Sequence, residues 1–183
     1  METEESKLVV QGTKLPGVLL FKREAFEDHR GSYEPLWNLP VYEDIIQKMC
    51  HVRLSFKEDD IAVSTRGVLR GLHGDDRTWK LVTCLKGKYY IIVACYDQAS
   101  PNCFDWESFV LSDSNKLQLL IPPHYGHGYC VMSEEAIFHY KQSCIYQGMS
   151  EQFTIRYDDS RFGFWWPIQN PILSLRDSKG ETV

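Results

Sequence analysis

Six histidines, His29, His51, His73, His124, His127 and His139, raise the first chemical question: metal ligands or proton carriers. A metal-holding jelly-roll site needs an HxH pair, a following Glu and a later His, because three or four ligands must converge inward. His73 stands alone in VLRGLHGDD, and His124 and His127 sit three residues apart in PPHYGHGYC, which places them on opposite faces of a strand. The pattern predicts no metal. Proton chemistry asks instead for an imidazole base, a carboxylate to orient it, a phenol acid and a cation for a developing oxyanion. Each type is present: His73, Asp177 closing LSLRD, Tyr140 in AIFHYK and Lys80 opening KLVTC, with Arg70 three residues before His73. Spacing alone does not bring these groups together. A purely structural role stays open for each, as a strand-end His, a packed Tyr or a solvated Asp.

The elements that must position them are mostly strands. From His51 onward the chain reads as short apolar or alternating runs between turn signals: HVRLSFK, GVLRGLH, WKLVTCLKG, KYYIIVACYD, WESFVLSD, KLQLLIPP, GHGYCVM, AIFHYKQSCIY and QFTIRYDD. Tyr89 to Tyr96 is almost continuously apolar, as in a strand covered on both faces. Leu39 to Met49 places Tyr42, Ile45, Ile46 and Met49 at helical spacing, with Pro40 suited to a first turn. The stretch FGFWWPIQNPILSLRD, with two prolines, is expected to pack as a loop over the strands. The pattern predicts an all-β sandwich or jelly roll with one or two peripheral helices.

Composition narrows the class. A chain of 183 residues, 43% hydrophobic and 13% aromatic, is expected to form one globular domain with short frayed ends. A net charge of −5 gives no reason to expect nucleic acid as a partner. The acidic start METEESKLVVQG and the lack of an apolar run near the ~20 residues that span a bilayer argue against secretion and membrane insertion. Cys50, Cys84, Cys95, Cys103, Cys130 and Cys144 form no CxxC pair and read as reduced thiols of a cytoplasmic protein.

Seven separated blocks carry a resemblance. FEDHRG (26–31), GVLRGLH (67–73), KLVTCLKG (80–87), SPNCFDW (100–106), LSDSNKLQLLIPPHYGHGYCVMSEEAIFHYK (111–141), DDSRFGFWWP (158–167) and LSLRD (173–177) are similar, in order and spacing, to the dTDP-4-dehydrorhamnose 3,5-epimerase family. The resemblance spans about residues 18–177. It implies a cupin-type jelly roll that uses no metal and no cofactor and works as a homodimer on nucleoside-diphosphate 4-keto sugars. In such a sugar the C3 and C5 protons lie α to a ketone, so a modest base can remove them if the enolate is stabilised. The resemblance assigns His73 as base, Asp177 as its orienting carboxylate, Lys80 as the cation at the C4 oxygen and Tyr140 as the acid on the opposite face. It further implies that His127 orders the pocket, that Arg70 and Arg30 contact sugar or diphosphate, Arg30 from the partner protomer, and that Phe26 packs near the base.

The chain also departs from the family. LRGLH continues into Gly74, Asp75 and Asp76 instead of an aromatic and a Gln, and Pro35 occupies the register of a Glu associated with the nucleobase. A pair of amides ahead of LRGLH is replaced by Glu58 and Asp60, which only accept hydrogen bonds when ionised. Acceptors suit a donor-rich base edge such as guanine. LRGLHGD, TWKLVTC and PILSLRD resemble a subgroup that epimerises GDP-linked 4-keto-heptoses for surface polysaccharides such as capsule. The expected activity is therefore C3 and/or C5 epimerisation of a GDP-4-keto-heptose, with dTDP-4-keto-6-deoxyglucose as the alternative substrate. Ketone migration through the same enolate and a binding-only cupin are the remoter readings.

Overall fold

The computed structural model describes residues 8–180; the expected frayed ends lie largely outside them. In chain order the elements are β1 (Val9–Gly12), β2 (Leu19–Lys22), β3 (Phe26–Asp28), β4 (Gly31–Tyr33), α1 (Leu39–Cys50), β5 (Glu58–Thr65), β6 (Leu69–Gly74), β7 (Lys80–Lys86), β8 (Lys88–Cys95), β9 (Trp106–Ser112), β10 (Leu117–Ile121), β11 (Tyr125–Val131), β12 (Glu135–Gln142), a 3-10 turn (Met149–Glu151), β13 (Phe153–Thr154) and α2 (Leu175–Lys179). They build two antiparallel sheets, β1-β2-β10-β7-β12-β5 and β13-β6-β11-β8-β9, with β3-β4 as a separate hairpin. This is the expected all-β jelly roll with peripheral helices. Among the described residues no helix is long and apolar enough to cross a membrane.

The core lies between the sheets, where Tyr89, Ile91 and Val93 of β8 meet Val82, Leu119 and Phe138 of the other sheet. Each such side chain contributes ~1.5–3 kcal/mol on burial, so a strand that is apolar on both faces must be covered on both. The second face of β8, Tyr90, Ile92 and Ala94, is covered by Phe162, Phe164 and Trp166 of the C-terminal stretch. Helix α1 covers the outside of the six-stranded sheet, docking Tyr42 and Ile46 on Phe21, Leu81 and Leu120. Its spacing and Pro40 made it legible; it stops at His51, which adopts the left-handed conformation at φ 59°.

Two expectations change. HVRLSFK is not a strand: Val52, Leu54 and Phe56 alternate inward beneath α1 but have no neighbouring strand to pair with. The ladder begins at Lys57, whose N–H reaches the Gln142 carbonyl at 2.8 Å, because β12 ends there. The acidic EDDIAVST is the real edge strand, β5. The C-terminal stretch packs as a loop over the strands up to Ser174, as expected, tied to the head of β6 by Leu69 N–H to Ile172 O (3.0 Å) and Ile172 N–H to Gly67 O (2.9 Å); what changes is its end, which turns into α2.

Candidate active site

Between the sheets lies a cavity of about 550 Å³, open at one end and lined by His73, Lys80, His127, Tyr140 and Asp177 among others. The two sheets supply different chemistry. His73 and His127 come from β6 and β11 and sit directly opposite each other in register. Lys80 and Tyr140 come from β7 and β12 of the facing sheet. The β6–β11 approach needs glycine: Gly71 has φ +111°, and a Cβ there would meet Gly128 Cα and the His127 carbonyl at 2.6 Å. That approach fixes His73 against His127.

Asp177 arrives from far along the chain. It lies in the first turn of α2, where the Ser174 hydroxyl accepts its N–H at 3.1 Å, a cap that satisfies an otherwise orphan donor. Its carboxylate meets His73 Nε2 at 2.6 Å across 104 residues of sequence, and the residue is 2% exposed. Burial alone would raise the Asp177 pKa, but the hydrogen bond and charge of His73, with Ser174 and the Gly71 backbone, hold it below its ordinary value. An ionised carboxylate only accepts, so Nε2 carries the imidazole proton and Nδ1 keeps its lone pair. Burial, followed by the nearby Arg176 and Lys80 charges, outweighs Asp177 and keeps the His73 pKa below its usual value, so the ring is neutral and able to take a proton.

Lys80 is 4% exposed, and among the described residues its ammonium makes no ion pair or side-chain hydrogen bond. Burial pulls its pKa down to about 8, only partly offset by Asp75. The Tyr140 phenol is pushed up, first by burial and then by the Asp60 carboxylate opposite it in register and by Glu58. It is a neutral O–H at neutral pH. His127 stacks on Phe138 (centroids 6.1 Å apart, planes 7°), and burial with the charges of Lys80 and His73 keeps it well below the ordinary histidine range. The arrangement therefore offers a neutral base, a neutral acid on the facing sheet and a cation between water-poor walls. That set can remove a proton α to a carbonyl, hold the enolate and return a proton.

The remaining expected contacts divide. Arg70 lines the cavity, its Nε donating to Ser64 Oγ at 3.0 Å. Glu58 and Asp60 lie on the inward-facing register of β5 but spend acceptor capacity within the protein: Gln142 Nε2 donates to both (3.3 and 3.0 Å), and the Tyr146 N–H donates to Glu58 at 2.6 Å. Phe26 and Arg30 lie in the exposed β3–β4 hairpin, where Arg30 pairs with Asp28 and lines no part of this cavity. Sequence reasoning missed Gln142, Tyr146 and Arg176, which line the cavity. Gln142 was findable, since it shares a strand face with Tyr140 two residues earlier. Among the described residues no group of three or more His, Cys, Asp or Glu is arranged to hold a metal ion.

Comparison with known proteins places this geometry. The family model described as dTDP-4-dehydrorhamnose 3,5-epimerase matches residues 12–183. The dTDP-4-dehydrorhamnose 3,5-epimerase of Shigella flexneri is 37% identical over 172 residues, covering 92% of each chain, and that of Salmonella typhimurium is 34% identical over 175 residues, covering 93% of each. Among solved structures, the dTDP-6-deoxy-D-glucose-3,5-epimerase of Legionella pneumophila in complex with dTDP-4-keto-L-rhamnose superposes with a TM-score of 0.88 at 28% identity, over 95% of this chain and 92% of that one. The 4-keto-6-deoxy sugar epimerase from the novobiocin cluster of Streptomyces spheroides gives 0.89 at 26% identity, over 99% and 90%.

Proposed function

This chain belongs to the dTDP-4-dehydrorhamnose 3,5-epimerase family, which makes it an isomerase acting on a nucleotide sugar, and from that premise we propose that it inverts C3 and C5 of dTDP-4-keto-6-deoxyglucose as a single catalytic domain in the cytoplasm. The observation that carries the reading is His73 on β6, paired with Asp177 of α2, facing Tyr140 and Lys80 on the other sheet. His73 Nδ1 takes the proton α to the ketone, and Asp177 stabilises the imidazolium that forms. Lys80 meets the negative charge developing on the C4 oxygen, where the low-dielectric wall strengthens its pull. Tyr140 gives its proton to the opposite face of the same carbon, which inverts it; His73 then releases its proton to solvent and the Tyr140 phenolate takes one back, which readies the pocket for the second carbon.

The GDP-linked 4-keto-heptose reading ranks second. It rested on the subgroup resemblance of LRGLHGD, TWKLVTC and PILSLRD and on Glu58 and Asp60 as free acceptors, and both carboxylates accept within the protein, Glu58 from Tyr146 and Gln142 and Asp60 from Gln142. The named relatives are dTDP-sugar epimerases. Proton NMR in D2O with each substrate separately tests the choice. Deuterium is expected at C3 and C5 of dTDP-4-keto-6-deoxyglucose, with inversion; incorporation only in the GDP-heptose would reverse the ranking. Absence of exchange in both would remove the epimerase reading for these sugars.

The same reading includes a homodimer in which Arg30 and Phe26 serve the partner's cavity. Its support is the β3–β4 hairpin, which projects Phe26 and Tyr33 at 47% and 73% exposure, and the edge strand β5, which shows Ile61 and Val63. Arg30→Ala is expected to raise KM about tenfold, the worth of one charge-assisted hydrogen bond, while sedimentation velocity still shows a dimer. An unchanged KM, or a fully active monomer, would remove the trans contribution.

A further inference from the structure

The segment after β12 carries Tyr146 to the rim of the cavity, where its side chain lines the wall while the residue remains 45% exposed. Its two ends are well held. At the start, Ser143 N–H reaches the Trp79 carbonyl (3.0 Å) and its Oγ accepts the Trp79 N–H (2.9 Å). At the far end, Arg77 pairs with Glu151 at 2.9 Å. Between them, among the described residues, residues 144–148 make one short hydrogen bond to another element, from the Tyr146 N–H to Glu58 Oε2 at 2.6 Å, across 88 residues of sequence. Among the described residues the only other hydrogen bond from this stretch to another element is a weak thiol contact from Cys144 to the Arg77 carbonyl at 3.9 Å.

Glu58 is suited to this tether. It stands on the inward register of the edge strand, directly opposite Gln142, whose Nε2 reaches the same Oε2 at 3.3 Å. Among the described residues no basic side chain pairs with it. Its charge is met by two N–H donors, one of them the Tyr146 amide, and a hydrogen bond to an ionised acceptor is roughly twice as strong as a neutral one. The carboxylate does not itself line the cavity. We propose that Glu58 is a positioning residue, which holds the Tyr146 backbone so that the tyrosine ring forms the cavity rim and which thereby sets substrate affinity and leaves the chemical step alone. The affinity part rests on the epimerase reading above; the tether itself does not.

The experiment has two arms. In hydrogen exchange without substrate, Glu58→Ala should speed exchange of the Tyr146 amide at least tenfold, and Glu58→Gln, whose carbonyl can still accept, should keep most of the protection. With dTDP-4-keto-6-deoxyglucose, Glu58→Ala should raise KM about tenfold with kcat within twofold, Tyr146→Ala should do the same, and the double variant should be no worse than either. Glu58→Asp keeps the charge and loses the reach, so it is expected to behave like Glu58→Ala and serves if that variant folds poorly. An unchanged Tyr146 amide overturns the tether, and multiplying KM effects overturn its role at the rim. A KM raised by Glu58→Gln as much as by Glu58→Ala, with the Tyr146 amide still protected in Glu58→Gln, would make Glu58 a direct substrate contact and overturn the positioning role. If wild-type protein turns over neither sugar, the functional reading falls while the exchange arm still decides the tether.

Discussion

His73→Ala is expected to lower kcat by at least ~100-fold, the usual scale for loss of a general base, with circular dichroism and elution volume unchanged. Asp177→Ala should fall in the same direction, because the imidazole then loses the 2.6 Å contact that fixes its proton on Nε2 and leaves Nδ1 free. Groups that act as one unit do not contribute additively. The double variant should therefore be no slower than His73→Ala alone. A near-normal rate in His73→Ala would remove the base assignment, and a multiplicative double variant would separate Asp177 from it. The acidic side of the rate profile should follow His73: activity rises as the ring loses its proton, below the ordinary histidine value because burial and the neighbouring cations disfavour the charged form.

Lys80→Met carries a two-sided expectation. Removing the cation at the developing oxyanion should reduce kcat by ~10²–10³, with a smaller change in KM because the contact strengthens as the enolate forms. The same change should stabilise the fold. Burial depresses the Lys80 pKa from 10.5 to about 8, so holding the ammonium in the folded state at neutral pH costs about 3 kcal/mol; an apolar side chain of similar length avoids that cost, and Tm should rise by several degrees. The sign follows from proton counting. Between pH 8 and 10.5 the unfolded chain binds more protons than the folded one, so wild-type stability rises relative to Lys80→Met across that window and the gap closes above it. Activity moves the other way, falling as pH passes about 8 and the ammonium is lost. A calorimetric Tm that drops in Lys80→Met, or a rate that does not fall, would contradict the assignment.

These two expectations concern residues whose types the sequence shows and whose roles the resemblance implies; what is read locally is which side chains share a strand face. Side chains alternate along a strand with period two, so LRGLH, KLVTC and AIFHYK already show which residues share a face, and α1 announces itself by its apolar spacing. Continuous apolarity in Tyr89–Tyr96 likewise requires two covered faces, and Phe162, Phe164 and Trp166 supply the second. Where a local signal is indirect, the reading fails. HVRLSFK alternates like a strand but lacks a partner, and EDDIAVST, to which the sequence reading assigns no element, pairs with β12 along its length.

By itself the sequence determined the residue types of the proton chemistry, the β-rich class and, through the seven blocks, the family. Only the tertiary structure decided which groups meet: Asp177 with His73 across 104 residues, Tyr140 facing them from the other sheet, Gln142 and Arg176 on the wall, and Glu58 spent on the Tyr146 amide in place of an open acceptor. Strand faces follow from covalent alternation within a few residues. Sheet partners in a jelly roll follow from burying both sheets against each other, a constraint shared by strands distant in the chain and written in no single segment of it.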